Sequence, residues 1–247
     1  MNLTIITPHY KDLTNLSKTY KSLSSQTYSD WTLLIIDSYT QDFHEKVLPE
    51  ILNDNRVKII QQKSSIYDAH NLGILLVDTQ YFHILNAGTT YPEKFTLSTA
   101  MNSVKHSHDN FGLMLHLFAL KVVGGKRTII QKPSKSLHPF NSAHEAIIYP
   151  NKKRDRILHD QKLGVVADSA LMFDYSLIYP LKVHPHVLTI YPRGGDSDVR
   201  PLFFEKIKGY SILFIRTFLN NKPLASLFAL KQIVRDIIIK IMNLKKK

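Results

Sequence analysis

The chain has 247 residues, 44% of them hydrophobic, no cysteine and a formal net charge of +12. This is enough chain for one large α/β domain, or a domain with a short appendage, and the lack of cysteine excludes disulfides, thiolate zinc sites and cysteine nucleophiles. From Arg200 onward eleven Lys and Arg oppose only Glu205 and Asp236, so +9 of the +12 belongs to one C-terminal segment. That segment carries no recognised nucleic-acid motif, and nucleic acid is not an expected partner.

The opening "LTIITP" is a β-branched strand run with no basic leader before it, so no signal peptide is expected. In "LTNLSKTYKSLSSQ", Leu13, Leu16, Tyr20 and Leu23 fall at helical spacing behind Asp12, a plausible N-cap. "WTLLIID" is a second strand, "HEKVLPEILNDN" a helix that Pro49 can interrupt, and "RVKIIQ" a third strand. "SIYDAHNLGILLV" predicts a helix, and the apolar run before Asn86 a fourth strand broken by Asn86-Ala87-Gly88. Alternation of this kind implies βαβ units and a mainly parallel sheet. Past residue 100, "FGLMLHLFAL" reads as a strand or buried helix, and "KVVGGKRTIIQKP" as a hairpin turning at Gly124-Gly125. "SKSLHPFNSAHE" is a polar loop and "AIIYP" a strand. "VVADSALMFDYSLIYP" is a helix with Ala167, Ala170, Leu171 and Leu177 inward, "HVLTIYP" a strand, and "RGGDSD" a flexible loop. No stretch reaches the roughly 18 apolar residues of a spanning helix.

Three segments together resemble the family 2 glycosyltransferases of GT-A fold, in particular those of bacterial surface-polysaccharide and O-antigen synthesis. They are "IITPHYKDLTNLSKTYKSLSSQTYSDWTLLIIDSYTQD", "SSIYDAHNLGILLVDTQYFHILNAG", and "HEAIIYP" with "VVADSALM" and "PRGGDSD". The resemblance covers roughly residues 1 to 200. It implies a nucleotide-sugar-binding half over 1–100, an acceptor half over 101–200, and a basic helical extension over 201–247. The implied fold is α/β, a Rossmann-like central sheet flanked by helices.

Alone, Tyr10 reads as a surface tyrosine or a nucleobase platform, and Asp37 as a helix cap or a base and ribose acceptor. The resemblance favours donor binding for both, and for Pro8, Tyr67, Asp68, Asn71, Asn86, Ala87, Gly88 and Thr89. His70 replaces a usually apolar position and is read as packing or surface. Asp168 matches the general base of inverting members, with a helix-N-terminal acid as the plain alternative. His144 and Glu145 are expected along the acceptor, and Gly194, Gly195 and Ser197 in a loop closing over the donor.

Thr89 stands where relatives carry the acid that ligates a divalent ion. A hydroxyl is a poor sole ligand for Mg²⁺ or Mn²⁺, so metal is expected to matter less than in relatives. Lys11, Lys63, Lys126, Arg127, Arg193 and Arg200 are loop cations that could face the diphosphate instead, and His184, His186 and Asp196 are the fallback metal ligands.

The implied activity is hexosyltransferase-like, with a UDP-sugar donor and a glycan or lipid-linked acceptor. The rival is a non-catalytic relative that binds a nucleotide or glycan and has lost the metal acid. In the tail, Leu227, Leu230, Ile233, Ile237, Ile241 and Leu244 recur at three- and four-residue steps among lysines and arginines. That pattern suits an amphipathic helix on an anionic membrane, or a helix packed on the domain. The expected location is cytoplasmic, on the inner face of the cell membrane.

Overall fold

β1 (Leu3–His9) lies at the centre of the N-terminal half, parallel to β2 (Trp31–Asp37) on one side and to β4 (Tyr81–Ile84) on the other, with β3 (Val57–Gln61) beyond β2. The computed structural model describes residues 2–105, 113–121, 127–131, 143–192 and 202–244. Next to β4 the direction reverses. β7 (Ile147–Pro150) runs antiparallel to β4, followed by β5 (Leu113–Lys121), β6 (Arg127–Gln131) and β8 (Leu181–Pro192), the last pairing with β5. The reversal matters because it sets the start of β7 beside the carboxyl end of β4, with His83 opposite Ile148.

Period-two alternation divides the core between the two faces of the sheet. Leu3, Ile5, Leu33 and Ile35 pack with Leu16 and Leu23 of α1 (Leu13–Ser24) and with Leu97 and Met101 of α5 (Thr96–Lys105). On the other face Ile6, Phe82 and Tyr149 meet Ile74 of α4 (Ile66–Leu76) and Leu171 and Tyr175 of α6 (Ala167–Ile178). α4 approaches closely because residue 73 is glycine: a Cβ there would lie 2.3 Å from Ile6 Cγ2. The chain's only tryptophan, Trp31, is buried at the β2 entrance with the Arg56 guanidinium 3.7 Å above its ring.

The local signals act as expected in this half. Asp12 caps α1 by accepting from Asn15 N–H at 3.0 Å. Ser65 and Asp68 form a reciprocal capping box on α4. Pro49 splits residues 43–53 into α2 (Phe43–Lys46) and α3 (Pro49–Asn53), occupying the first turn of the second, where its missing N–H costs nothing.

Two expectations are corrected. Leu177 is exposed rather than inward, because the buried stripe of α6 shifts to Met172, Phe173 and Tyr175 as the helix runs out. Arg127 opens strand β6 rather than sitting in a loop. The glycine turn at 124–125, most of the polar loop at 134–145, Lys126, and the segment holding Arg193, Gly194, Gly195, Asp196, Ser197 and Arg200 lie outside the described residues.

α7 (Phe203–Leu219) and α8 (Pro223–Leu244) form a hairpin against the segment that leads into α6. Leu213, Ala225 and Ala229 pack with Leu163, Val166 and Phe173. The small residues of α8 face inward. Most of the predicted stripe therefore points outward: Leu227, Leu230, Ile237 and Ile241 are exposed, as are Ile238, Ile239 and Met242. Among the described residues no helix is long and apolar enough to cross a membrane.

Candidate active site

At the carboxyl edge of β1 and β2, Pro8 is half-buried within β1 while Tyr10 is 58% exposed, with Lys11 Nζ 4.8 Å from its ring. Tyr10 is open to a stacking partner. Asp37 is not. It is fully buried and accepts from His9 Nδ1 (2.8 Å), Thr40 Oγ1 (2.6 Å), Thr40 N–H (2.9 Å) and Gln61 Nε2 (3.0 Å). Burial alone would raise its pKa, but the hydrogen bonds from Thr40, Gln61 and His9 outweigh it and hold the carboxyl below its ordinary value. These contacts tie the carboxyl ends of β1, β2 and β3 together.

A folded-state pKa below the unfolded one contributes stability at pH above the ordinary carboxyl value of about 4, and loses it as pH falls toward the folded value. Wild type should therefore lose more melting temperature between pH 7 and pH 3 than Asp37→Asn, and equal losses in thermal melts would contradict this account.

The loop after β4 is pinned from α1. Thr19 Oγ1 accepts from Gly88 N–H at 2.8 Å and donates to the Thr89 carbonyl at 2.9 Å. Gly88 takes φ +98, a region that glycine enters at no steric cost, and Thr90 bridges to Ile190 of β8. Asn86 and Ala87 stay half-exposed, whereas Gly88 and Thr89 are buried. The Thr89 hydroxyl has no hydrogen-bond partner among the described residues. Thr89 is thus buried, with its carbonyl drawn toward α1. With no carboxylate at 87–89, these residues do not fit a diphosphate-bound Mg²⁺ or Mn²⁺.

Beside this loop lies a buried imidazole–carboxylate cluster. Asp168, in the first turn of α6, accepts from His159 Nε2 at 3.0 Å and pairs with His144 Nδ1 at 3.2 Å. Asn86 Nδ2 donates to Glu145 Oε1 at 2.9 Å and lies 3.1 Å from His144 Nε2, and Asn86 Oδ1 accepts from His70 Nε2 at 3.1 Å. The rings of His70 and His159 are 4.9 Å apart, and Tyr67 covers His159 at 5.3 Å. His83 ties the base together, its rings reaching Tyr91 Oη at 2.9 Å and the Glu145 carbonyl at 2.8 Å.

The electrostatics of these groups diverge. Burial opposes charge on Asp168, yet the charge and hydrogen bond of His144 and the hydrogen bond of His159 hold its carboxyl well below the usual range. Burial likewise opposes charge on His144, but the Asp168 and Glu145 carboxylates lift it to about 9. Desolvation, aided by the other imidazoles, lowers His70 to about 3.

These contacts join Tyr67, Asn86, His144, Glu145 and Asp168, all singled out in the sequence. Tyr10 and Asp37 belong to a separate network with Lys11, His9 and Thr40. Asp68 and Asn71 serve the scaffold. Asp68 caps its own helix and accepts from Gln161 Nε2, while Asn71 Nδ2 donates to the His159 carbonyl and Asn71 Oδ1 accepts from His159 N–H. His70, read as packing or surface, is fully buried within the cluster. His159 carried no sequence signal, because only the clasp of Asn71 brings it onto α4. Among the described residues, His70, His159 and Asp168 form a group that could hold a metal ion; His184 and His186 lie on β8, and Asp196 lies outside the described residues.

Comparison with known proteins bears on this arrangement. No curated protein matches the sequence. S. aureus TarS 1-349 in complex with UDP-GlcNAc superposes with a TM-score of 0.70 at 12% identity, covering 96% of this chain and 72% of that one. Mannosyltransferase PcManGT from Pyrobaculum calidifontis, in complex with GDP-Man and Mn²⁺, gives 0.67 at 12% identity, covering 98% and 75%. Against a longer S. aureus TarS chain the values are 0.66 and 15%, and the protein spans 87% of its own length but 40% of that chain. At these identities the likeness is one of fold, the GT-A fold. The profile of glycosyl transferase family 2 matches residues 4–177, from β1 through α6 and including every side chain of the imidazole–carboxylate cluster; the chain belongs to that family.

Proposed function

We propose that the protein transfers a hexosyl group from a nucleotide-sugar, a UDP-sugar in our reading, to a hydroxyl of a glycan or lipid-linked acceptor in bacterial surface-polysaccharide synthesis, with inversion. The observation that carries this is Asp168. It is a carboxylate held ionised by two imidazoles, its side chain still 26% exposed, beside a loop at the carboxyl edge of the sheet. Ligands of open α/β sheets sit at that edge. An ionised carboxylate there can take the acceptor proton as the hydroxyl oxygen attacks the anomeric carbon and the nucleoside diphosphate leaves. Tyr10 offers the base a stacking face, and Asn86 and Ala87 line the approach to the reacting end. A panel of nucleotide-sugars, assayed for binding and for hydrolysis, tests the reading. Binding with no turnover on any acceptor would favour the non-catalytic alternative, which the acid-free loop at 87–89 supports.

Because that loop lacks a metal-ligating carboxylate, turnover should survive EDTA, and Thr89→Asp should introduce dependence on Mn²⁺. Activity lost to EDTA in wild type and restored by Mn²⁺ would refute this. We further propose that the α7–α8 hairpin rests on an anionic inner-membrane surface, since α8 presents Ile238 and Ile241 to solvent beside a basic segment. Replacing both by Glu should release the protein from phosphatidylglycerol vesicles in sedimentation without lowering its melting temperature. Unchanged sedimentation would return the hairpin to a purely structural role.

A further inference from the structure

Two nitrogens of the cluster have no use in the contacts described above. His70 donates through Nε2 to Asn86, and His159 through Nε2 to Asp168, which leaves Nδ1 of each ring. Both Nδ1 atoms are buried and without a hydrogen-bond partner among the described residues, on side chains that are 0% and 4% exposed overall. A buried polar atom left unpaired costs on the order of 1–3 kcal/mol, and unpaired atoms in native proteins usually mark an ion, a water or a functional role. Here two of them sit on rings 4.9 Å apart.

We infer that His70, His159 and Asp168 form a binding site for one zinc-class divalent cation, separate from the acid-free loop at 87–89. Each of the three residues offers one ligand atom, and those atoms lie within 4.8 Å of one another; His159 already turns Nε2 to Asp168 at 3.0 Å, and the cation would take the place of that hydrogen bond. Two imidazoles and one carboxylate suit Zn²⁺ or Co²⁺ and leave a fourth position open, whereas Mg²⁺ and Ca²⁺ prefer oxygen. Neighbouring groups already hold the ligands in place. Asn86 orients His70, the Asn71 clasp fixes the backbone of His159, and His144 holds the second oxygen of Asp168. Tyr67 packs its ring on His159, centroids 5.3 Å apart. The cation would occupy the carboxylate that the proposed transfer uses as its base, so it inhibits. That consequence rests on the reading of Asp168 above, whereas the binding does not.

The test uses the full chain without an affinity tag, stripped with EDTA and titrated with ZnCl₂ in calorimetry with no sugar nucleotide present. One equivalent should bind, and CoCl₂ should give the visible bands of a nitrogen-ligated, low-coordinate ion. His70→Gln should weaken zinc at least about tenfold, a loss typical even of groups one step removed from the metal. His184→Ala/His186→Ala should bind as wild type. No stoichiometric binding, undiminished binding by His70→Gln, or loss of binding in the His184/His186 variant would each overturn the site. If His70→Gln fails to fold, the wild-type cobalt spectrum decides: no visible bands with cobalt in equimolar supply is a negative result. In an enzyme whose turnover has been established, zinc should suppress it with the midpoint of binding. Full turnover at saturating zinc, with one equivalent bound, would overturn the inhibition and with it the reading of Asp168 as the base. The site itself stands or falls on the binding measurements.

Discussion

Asp168→Asn should lower turnover by roughly 10²–10⁴-fold, the range associated with loss of a general base, while leaving donor affinity nearly unchanged. The substitution keeps the shape of the side chain but removes the charge proposed to take the acceptor proton. It also removes the counter-charge of His144, 3.2 Å away, and leaves one oxygen where His144 and His159 had two. Some loss of stability is therefore expected, because a buried charge without its partner is costly. Thermal melts alongside kcat and donor-binding measurements separate the two effects. A folded variant with wild-type kcat would remove Asp168 from the chemistry. A variant whose donor affinity falls as far as its turnover would make it a binding residue instead.

The second large effect is on stability, where α4 meets β1. Gly73→Ala should destabilise by roughly 1–3 kcal/mol, the range for overpacking a filled core. The added Cβ would meet Ile6 Cγ2 at 2.3 Å, with Ile6 Cγ1 and Cβ at 3.2 and 3.3 Å, so no single rotation of the isoleucine clears it. For a chain of this size the melting temperature should drop by about 2–4 °C per kcal/mol. Ile6→Ala alone should also destabilise, by leaving a cavity beneath the helix. The double variant should be more stable than the sum of the two losses allows, since each change relieves the other. Strict additivity in this cycle would mean that α4 shifts freely on the sheet. α4 carries Tyr67, His70 and Asn71, so the same tight contact sets the height of the imidazole cluster over the sheet.

The N-terminal half was legible because its signals are local. A buried strand run, an Asp or Ser before a helix, and a proline at a first helical position each act within a few residues, and β1–β4 and α1–α4 follow them. Of the candidate site, Asp168, His144 and Asn86 were singled out by residue type and motif, and the structure brings them together. It was not legible where the decisive contact spans the chain. Asn71 and His159 are 88 residues apart, and nothing near either announces their two-point clasp. The burial of Thr89 was not legible for a related reason. Its position in the motif is plain, but the Thr19 hydroxyl that draws its carbonyl inward belongs to a different helix. The tail pattern was seen correctly as a stripe, while the inward face of α8 rests on Ala225 and Ala229, whose smallness lets the hairpin close.

Trp31 gives this molecule a built-in optical separation of its parts. It is the sole indole, buried at the β2 entrance and stacked beneath Arg56, while the α7–α8 hairpin packs on the segment before α6 and contains none. Tryptophan emission therefore follows the parallel sheet alone, whereas far-ultraviolet circular dichroism weights the long helices of the hairpin. In a urea titration the two signals would coincide only if hairpin and sheet melt as one cooperative unit. A helical signal that fades while the emission maximum stays fixed would identify the hairpin as a foldon that detaches first, leaving the parallel sheet intact.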